Sequence, residues 1–377
     1  MFSGVAFWQS PTTAVIPGLT ALDYGRWIMT RRLNLANQRA QWSNDGISWN
    51  LATTPNSYDF FGCDFSPELG LYVAVAQNVA TDNIMTSTNS VTWTSRSKST
   101  NAGFSHVTWC PGYNKFIAQS TGGSTASTQM NLWASSDGTN WTQVFTASGY
   151  TTPNGAGWIF QPAYAATSFG NEFLTVYRRT AAGTASNMIY TTDGSNFTTY
   201  SLDRFAGSVC NIAYNSTLNR WILNEAEGPT TTTNVFATSQ TASLESGWLR
   251  YTNTRSPANS LTFTLVANND GRNGATATVM NVIAHFSGAS TTTPIRYSST
   301  ALTGSWTAST LPNTAYGFYH GAYSRALNQF VLARGQNQTY TSTNGITWTL
   351  RTTAAAENVA NVFGEGVRTN GYRVGGT

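Results

Sequence analysis

Short apolar runs alternate with polar turns along the whole chain, and no segment shows the 3.6-residue spacing of an amphipathic helix. Runs such as 104–109 and 209–214 predict strands, because aromatic and β-branched residues recur in them between small polar ones. A tight turn rich in Asn and Gly follows each run, and then an aromatic and an aliphatic residue, as in Phe116-Ile117 and Trp221-Ile222. The pattern therefore predicts β-hairpins and no long helix.

A second mark recurs seven times, namely a polar turn that leads directly into an aromatic residue. The cleanest copies are 43–49, 135–141 and 191–197, in which Asp-Gly comes before Trp or Phe. The turn and aromatic positions of all copies are Asp45 and Trp49, Asn89 and Trp93, Asp137 and Trp141, Asp193 and Phe197, Trp248, Trp306, and Asn344 and Trp348. Successive aromatic positions lie 42 to 58 residues apart, which is the length of one four-stranded propeller blade.

This spacing predicts an all-β fold, a β-propeller of four-stranded antiparallel blades that forms a single domain over 1–377. Residues 5–10 are similar to a third strand, and 370–374 repeat the turn between a first and a second strand. We expect 1–17 and 354–377 to form a closing blade together, because such pairing removes the free seam of a ring. Eight blades are favoured, seven complete and one built from both termini, and seven blades are the alternative.

Composition narrows the choice of partners. Charged residues make up only 10% of the chain and the net charge is +4 without a basic cluster, so we expect no nucleic-acid partner. No stretch approaches the roughly 18 consecutive apolar residues of a membrane helix, and the first ten residues do not have the pattern of a signal peptide. The cysteines lack metal-ligand spacing and are expected to be buried free thiols: Cys63, Cys110 and Cys210.

The turn pattern Ser/Thr-x-Asp-Gly-x-x-Trp resembles the Asp-box, or bacterial neuraminidase repeat, of sialidases and of many propellers that are not sialidases. The resemblance implies a sialidase-like propeller with each box on an outer hairpin, away from the central site. The residue types agree, because an Asp side chain accepts bonds from N–H groups ahead of it and Gly permits a positive φ. We interpret Asp45, Asp137 and Asp193 as structural, since equivalent positions around a ring cannot converge on one substrate.

The resemblance also implies what a sialidase would need, above all an Arg-Ile-Pro motif near the N-terminus. Arg26, Arg31 and Arg32 are the early candidates, and none of them precedes Ile-Pro. We therefore assign no catalytic, cofactor-binding or metal-binding residue and predict that the chain is not an enzyme. Glu225 and Glu227 are the one close carboxylate pair. Alternate residues of a strand lie roughly 7 Å apart, which is within the range of separations of the two catalytic carboxyl groups in glycoside hydrolases. A solvated strand end is the competing interpretation of this pair.

The three histidines lie in different predicted blades beside aromatic residues: His106, His285 and His320. They have no Cys or acidic residue at metal-ligand spacing. His106 and His320 fall on predicted first strands, which line the channel of a propeller. We expect core or channel histidines with satisfied hydrogen bonds.

The favoured functional prediction is a non-enzymatic structural or adhesive propeller of a bacteriophage virion, in a tail or fibre. The reasoning is that a virion protein reaches the outside of a cell without a leader peptide. The expected partners are other virion proteins and a host-surface glycan, with the cytoplasm as the alternative location. Recognition is expected in five longer loops: 76–83, 120–129, 178–187, 226–234 and 268–277.

Two other functional readings stay open at this point. The first is a glycan-active hydrolase with an atypical site, and the second is an intracellular propeller scaffold. The sequence does not indicate the ligand or the oligomeric state.

Overall fold

The structure is a computed structural model that describes most of the predicted strands. The described residues are 26–32, 38–78, 80–98, 102–120, 129–148, 162–167, 170–178, 186–201, 208–215, 220–227, 233–239, 249–254, 261–267, 280–286, 295–298, 307–312, 320–324, 327, 329–334, 338–354 and 358–364. Among them are 28 strands and one turn of 3-10 helix, Pro111–Tyr113. The prediction of an all-β fold is confirmed.

The strands form seven antiparallel sheets of four, which we number as blades 1 to 7. Blade 1 consists of β28 (Asn358–Gly364), β1 (Trp27–Arg32), β2 (Ala40–Ser43) and β3 (Asn50–Leu51). Blade 2 consists of β4 (Phe60–Ser66), β5 (Leu71–Ala76), β6 (Ile84–Ser87) and β7 (Thr94–Arg96). Blade 3 consists of β8 (Phe104–Cys110), β9 (Lys115–Ser120), β10 (Gln129–Ser135) and β11 (Thr142–Ser148). Blade 4 consists of β12 (Ala163–Thr167), β13 (Gly170–Arg178), β14 (Ser186–Thr191) and β15 (Thr198–Ser201).

The remaining blades follow the same order. Blade 5 consists of β16 (Ser208–Asn215), β17 (Arg220–Glu227), β18 (Thr233–Ser239) and β19 (Leu249–Thr254). Blade 6 consists of β20 (Leu261–Ala267), β21 (Met280–Phe286), β22 (Ile295–Ser298) and β23 (Thr307–Ala308). Blade 7 consists of β24 (His320–Ser324), β25 (Gln329–Arg334), β26 (Gln338–Ser342) and β27 (Thr349–Thr352). Each first strand contacts the first strand of the next blade around the whole circle, so the seven sheets close into a propeller.

The closure of the ring differs from the favoured prediction. β28 takes the first-strand position of blade 1 and pairs along β1, from Trp27 opposite Gly364 to Arg32 opposite Asn358. The described residues thus contain seven sheets, the number given as the alternative, and a described part of 354–377 completes blade 1 and not an eighth blade. Residues 1–17 lie outside the described residues. The pairing of β28 with β1 closes the seam of the ring.

The strand order gives the ring two different faces. Neighbouring strands are antiparallel, so the turns between first and second strands and between third and fourth strands lie on one side, which we call the hairpin face. The connections from second to third strands and from one blade to the next lie on the opposite side, which we call the loop face. The five Asp turns within the described residues all belong to the hairpin face.

The Asp turns have the geometry that the sequence predicts. In blade 3, Asp137 Oδ1 accepts hydrogen bonds from the backbone N–H groups of Thr139 and Asn140, both at 2.7 Å. Gly138 has a φ of +71°, which only Gly adopts without strain. The same acceptor geometry recurs in the other described copies at Asp45, Asn89, Asp193 and Asn344. These bonds are the ones expected of a structural turn residue, and Trp248 and Trp306 lie outside the described residues.

The aromatic residue of each turn closes the turn as well as packing on the blade. Trp141 is buried, and its indole Nε1 donates to the carbonyl of Gly138 at 3.2 Å. The equivalent indole bond is present in three other copies, at Trp49, Trp93 and Trp348. Phe197 has no N–H to donate, and it packs against Phe145 with ring centroids 5.5 Å apart. The Trp copies therefore gain a hydrogen bond that the Phe copy lacks.

The core lies between the blades, and the Asp turns are part of it. A Cβ on Gly138 would lie 2.8 Å from Leu71 Cδ2 of blade 2, and one on Gly194 would lie 2.7 Å from Tyr113 of blade 3. Each of these turns is thus pressed against the preceding blade. Tryptophan side chains add hydrogen bonds between neighbouring blades, and the donor and acceptor pairs are Trp27 with Gln329, Trp109 with Glu68, and Trp221 with Glu172.

Candidate functional site

The predicted carboxylate pair lies on β17, the second strand of blade 5. Glu225 pairs with Val209 and Glu227 with Ser208, so Ala226 is an extra residue on β17. Such a bulge breaks the alternation from which a shared face was inferred for the two glutamates. The backbone therefore does not support the predicted spacing of about 7 Å, and their side chains lie outside what the structure describes.

The histidines lie on three different blades, as predicted. His106 is on β8 and His320 is on β24, which are first strands around the channel, whereas His285 is on β21, a second strand. His106 is buried. Within the described residues, no three His, Cys, Asp or Glu side chains come close enough to hold a metal ion.

Two of the cysteines have the predicted state. Cys63 and Cys110 are buried free thiols. Burial raises the pKa of the Cys63 thiol well above its ordinary value, so this side chain is a poor nucleophile. Cys210 lies on β16, and its side chain is outside the described set.

A concentration of polar side chains lies on the loop face, where blades 1, 2 and 3 meet. We call it the loop-face cluster and define it by five residues: Arg39, Tyr58, Asp59, Asp82 and Lys98. Arg39 comes directly before β2, and Tyr58 and Asp59 come directly before β4. Asp82 lies in the connection between β5 and β6, and Lys98 follows β7. Four connections of the loop face therefore contribute to one cluster.

An ion pair in this cluster joins blade 1 to the segment that leads into blade 2. Arg39 Nη1 donates to Asp59 Oδ1 at 3.1 Å. The Arg39 side chain is 9% exposed and that of Asp59 is 28% exposed, so the cation lies beneath the carboxylate. Asp59 is further fixed through its backbone, which donates to Asn78 Oδ1 at 3.1 Å and accepts from the N–H of Gln77 at 3.3 Å. The Asp59 carboxylate is thus held in place at the surface, and the positively charged Arg39 guanidinium lies beneath it.

A tyrosine and a second carboxylate form the next contact of the cluster. The Tyr58 hydroxyl donates to Asp82 Oδ1 at 2.9 Å, and this bond raises the pKa of Tyr58 above its ordinary value. The Asn56 side chain donates to the Asp82 carbonyl at 3.1 Å. These contacts connect the segment before β4 with the loop between β5 and β6. Tyr58 is neutral at ordinary pH and available as a hydrogen-bond partner, and it is half-buried.

Lys98 fixes the fourth connection of the cluster, the one between β7 and β8. Its Nζ donates to the Ala80 carbonyl and, at 2.6 Å, to Asn83 Oδ1, and it lies 5.1 Å from the centre of the Phe104 ring. Desolvation by burial lowers the pKa of Lys98 to about 8. The Asn83 side chain in turn donates to the carbonyl of Ala102 at 2.6 Å. The loop between β5 and β6 is therefore tied to the connection that leads to blade 3.

One close backbone contact keeps these connections together. A Cβ on Gly103 would lie 2.1 Å from the carbonyl oxygen of Gln77, so only Gly fits there. The cluster thus rests on interlocked backbone segments, which favours a preformed site.

Sequence reasoning found one part of this cluster. The loop 76–83 was expected to take part in recognition, and Asp82 belongs to it. The ion pair of Arg39 with Asp59 was not predicted, because its two residues belong to different blades and to segments without a motif. The sequence does carry a local sign of the cluster, because Asn, Tyr and Asp concentrate at 56–59 and Asn and Asp concentrate at 78–83. The other four predicted loops lie largely or wholly outside the described residues.

The fold defines the chain as a β-propeller of four-stranded blades with a polar cluster on its loop face. No protein-family model matches the chain, and no curated protein is similar to it in sequence. No helix in the described part of the chain is long and apolar enough to cross a membrane.

Solved structures with the same fold cover nearly the whole chain. A candidate 6-phosphogluconolactonase from Bacteroides fragilis has a TM-score of 0.62 and 9% identity, covering 92% of this chain and 99% of that one. The periplasmic gluconolactonase of Pseudomonas aeruginosa has a TM-score of 0.56 and 8% identity, covering 89% and 98%. A protein of unknown function from Desulfotomaculum acetoxidans has a TM-score of 0.58 and 12% identity, covering 90% and 98%. At these identities the likeness shows the fold, a β-propeller.

These findings correct the functional prediction. Three of the similar structures are named as lactonases or candidate lactonases, which contradicts both the non-enzymatic bacteriophage virion protein and the prediction that the chain is not an enzyme. They also give no support to a link with sialidases or phage propellers. The physical reason for the error is that the Asp turns stabilise blades on the hairpin face, so they carry information about the fold and none about activity.

Proposed function

We propose that the protein is a hydrolase that acts on a carbohydrate-derived substrate, with sugar lactones as the favoured class, at the loop-face cluster. The observation that carries the proposal is the Asp59 carboxylate, which is held at the surface over the buried guanidinium of Arg39 and lies beside the pair of Tyr58 and Asp82. Named lactonases with the same fold support the choice of substrate class. The location in the cell and the absence of nucleic-acid and membrane partners stay predictions.

The chemistry of lactone opening fits these groups. Water attacks the carbonyl carbon while its proton passes to the Asp59 carboxylate, which acts as general base. The negative charge that develops on the carbonyl oxygen is favoured by the positive charges of Arg39 and Lys98 beneath the surface. The bond between the carbonyl carbon and the ring oxygen then breaks, and the leaving oxygen takes the proton back from Asp59. The product is an open-chain hydroxy acid.

The test is a hydrolysis assay with purified protein, corrected for spontaneous opening of the lactones. The substrates are sugar 1,4- and 1,5-lactones and, as the glycan class, 4-nitrophenyl glycosides. Replacing Asp59 by Asn is expected to lower kcat/KM about 100-fold, the usual scale for loss of a general base. The matched control is Asp45→Asn on the hairpin face, where Asn occurs naturally in two other copies of the turn, and it is expected to keep full activity.

Two results would contradict the proposal. The first is an Asp59→Asn variant that hydrolyses the substrate as fast as the unmodified protein, which would remove this cluster from the chemistry. If the double variant Glu225→Gln with Glu227→Gln lost activity instead, the site would lie on blade 5. The second is a protein that accelerates the opening of no lactone and the cleavage of no glycoside, which would reject the hydrolase itself.

A further inference from the structure

Tyr58 is held in one orientation by contacts at both ends of its side chain. The ring packs against the apolar core shared by blades 1 and 2, which includes Ile28 and Phe60. The hydroxyl is fixed by the 2.9 Å bond to Asp82, and the backbone N–H donates to Asn56 Oδ1 at 3.4 Å. Because Tyr58 is half-buried, part of it remains at the surface of the loop face. The result is a fixed and partly exposed aromatic side chain, which we call the plate.

The groups around this plate are suited to hydroxyl groups. Asp59 follows Tyr58 in sequence, and Asp82 accepts the hydrogen bond from the Tyr58 hydroxyl. The amide side chains of Asn56 and Asn78 are bound to backbone groups of the same loops, so they are fixed as well. Carboxylates and amides bind sugar hydroxyls, and an aromatic face accepts the C–H groups on the apolar side of a sugar ring. A planar apolar surface bordered by oriented polar groups is the usual composition of a small-molecule site.

We propose that Tyr58 is the stacking platform of a subsite for a six-membered sugar ring. This inference rests on the proposed function and deepens it, because it restricts the substrate to cyclic hexose derivatives such as pyranoses and 1,5-lactones. The ring stacks on Tyr58, and its hydroxyls bond to Asp82 and to Asp59. An open-chain polyol has no flat face to place on the aromatic ring, so the site discriminates against it and releases a ring-opened product.

The experiment measures binding without hydrolysis, with D-glucose as the cyclic probe and D-sorbitol as the open-chain probe. The dissociation constants are measured by NMR titration. The unmodified protein is expected to bind D-glucose at least 10-fold more tightly than D-sorbitol. Tyr58→Phe, which keeps the ring, is expected to retain most of this preference, and Tyr58→Leu is expected to abolish it. Tyr200→Ala, which changes another half-buried tyrosine on the outer strand of blade 4, is the control and leaves it unchanged.

The outcomes separate this inference from the proposed function. Equal binding of the two probes, or a Leu variant that keeps the preference, would overturn the stacking role even if hydrolysis is observed. A preference for D-glucose that depends on the aromatic ring would support it even if no hydrolysis is found, in which case the proposed function alone fails. If Tyr58→Leu does not fold, as judged by circular dichroism, Tyr58→Met takes its place. A purely structural role predicts lower stability in the Phe and Leu variants with the ratio of the two dissociation constants unchanged.

Discussion

At the scale of single residues, the Asp turn shows how one carboxylate binds two backbone N–H groups at once. Burial acts to raise the pKa of Asp137, but the N–H groups of Asn140 and Thr139 outweigh it and lower the pKa to about 2. In Asp193 the N–H group of Asn196 is the largest cause, and it holds the pKa well below its ordinary value. These carboxylates are therefore stabilised in the charged form by the folded turn.

This leads to a prediction about pH. The pKa of Asp137 is lowered on folding from 3.8 to about 2, so its stabilising contribution is complete above about pH 4 and is lost as the pH falls through about 2. Replacing Asp137 by Asn should change the free energy of unfolding at pH 7 by only about 1 kcal/mol, because the amide oxygen can accept the same bonds. The loss of stability between pH 4 and pH 2, measured by urea unfolding, should be smaller in this variant.

The reverse substitution is the control for this prediction. Asn344 accepts the same two backbone bonds, from Ile346 and Thr347. Asn344→Asp should therefore add to the loss of stability below pH 4. If neither variant changes the slope of stability against pH, the bonds do not select the charged form.

At the scale of the element, the turn glycine serves two purposes that the sequence shows only in part. The sequence predicts a positive φ at Gly138, because Asp-Gly precedes a strand. It does not show that Leu71 and Val73 of the preceding blade press against this position, because that contact is between blades. The fold could be predicted because every blade repeats the same local signals. The loop-face cluster could not, because Arg39 and Asp59 meet only once the blades are packed.

Replacing Gly138 by Ala is therefore expected to be more costly than strain alone. The left-handed conformation costs about 1–2 kcal/mol for a residue with a Cβ, and overpacking against Leu71 adds about 1–3 kcal/mol. The free energy of unfolding, measured with urea, should fall by roughly 2–5 kcal/mol.

Ser90 provides the comparison for this substitution, because it occupies the equivalent position in blade 2 with a φ of 60°. Its hydroxyl accepts a bond from Arg26 at 2.9 Å, so there the neighbouring side chain adapts to a Cβ. Ser90→Gly should change the stability by about 1 kcal/mol or less, since relief of strain offsets the lost hydrogen bond. A Gly138→Ala variant as stable as the unmodified protein would show that the contact between blades is easily adjusted.

At the scale of the whole molecule, the ring depends on one strand. β28 contacts β24 of blade 7 and β4 of blade 2, and it pairs with β1. A chain that ends at Ala354 lacks this strand, leaves β1 unpaired on one side and interrupts the circle of first strands. We expect it to lose its cooperative thermal transition and to be cleaved faster by protease, because the closed ring no longer protects its seam.

Adding the missing strand back is the decisive measurement. A peptide of residues 358–364, supplied at high concentration, should restore part of the thermal stability through binding to the folded state. A peptide of the same composition in scrambled order should not. If the truncated chain melts at the same temperature as the full chain, β28 does not hold the ring closed.

The pairing of β28 with β1 also has a consequence for synthesis on the ribosome. Blades 2 to 7 can form in order as the chain emerges, but blade 1 must wait with three strands until residues 358–364 have been made. During that time β1 presents an open edge to other nascent chains, which makes aggregation the main risk to this protein in the cell. Its yield should therefore depend on slow translation and on chaperones that cover exposed strands.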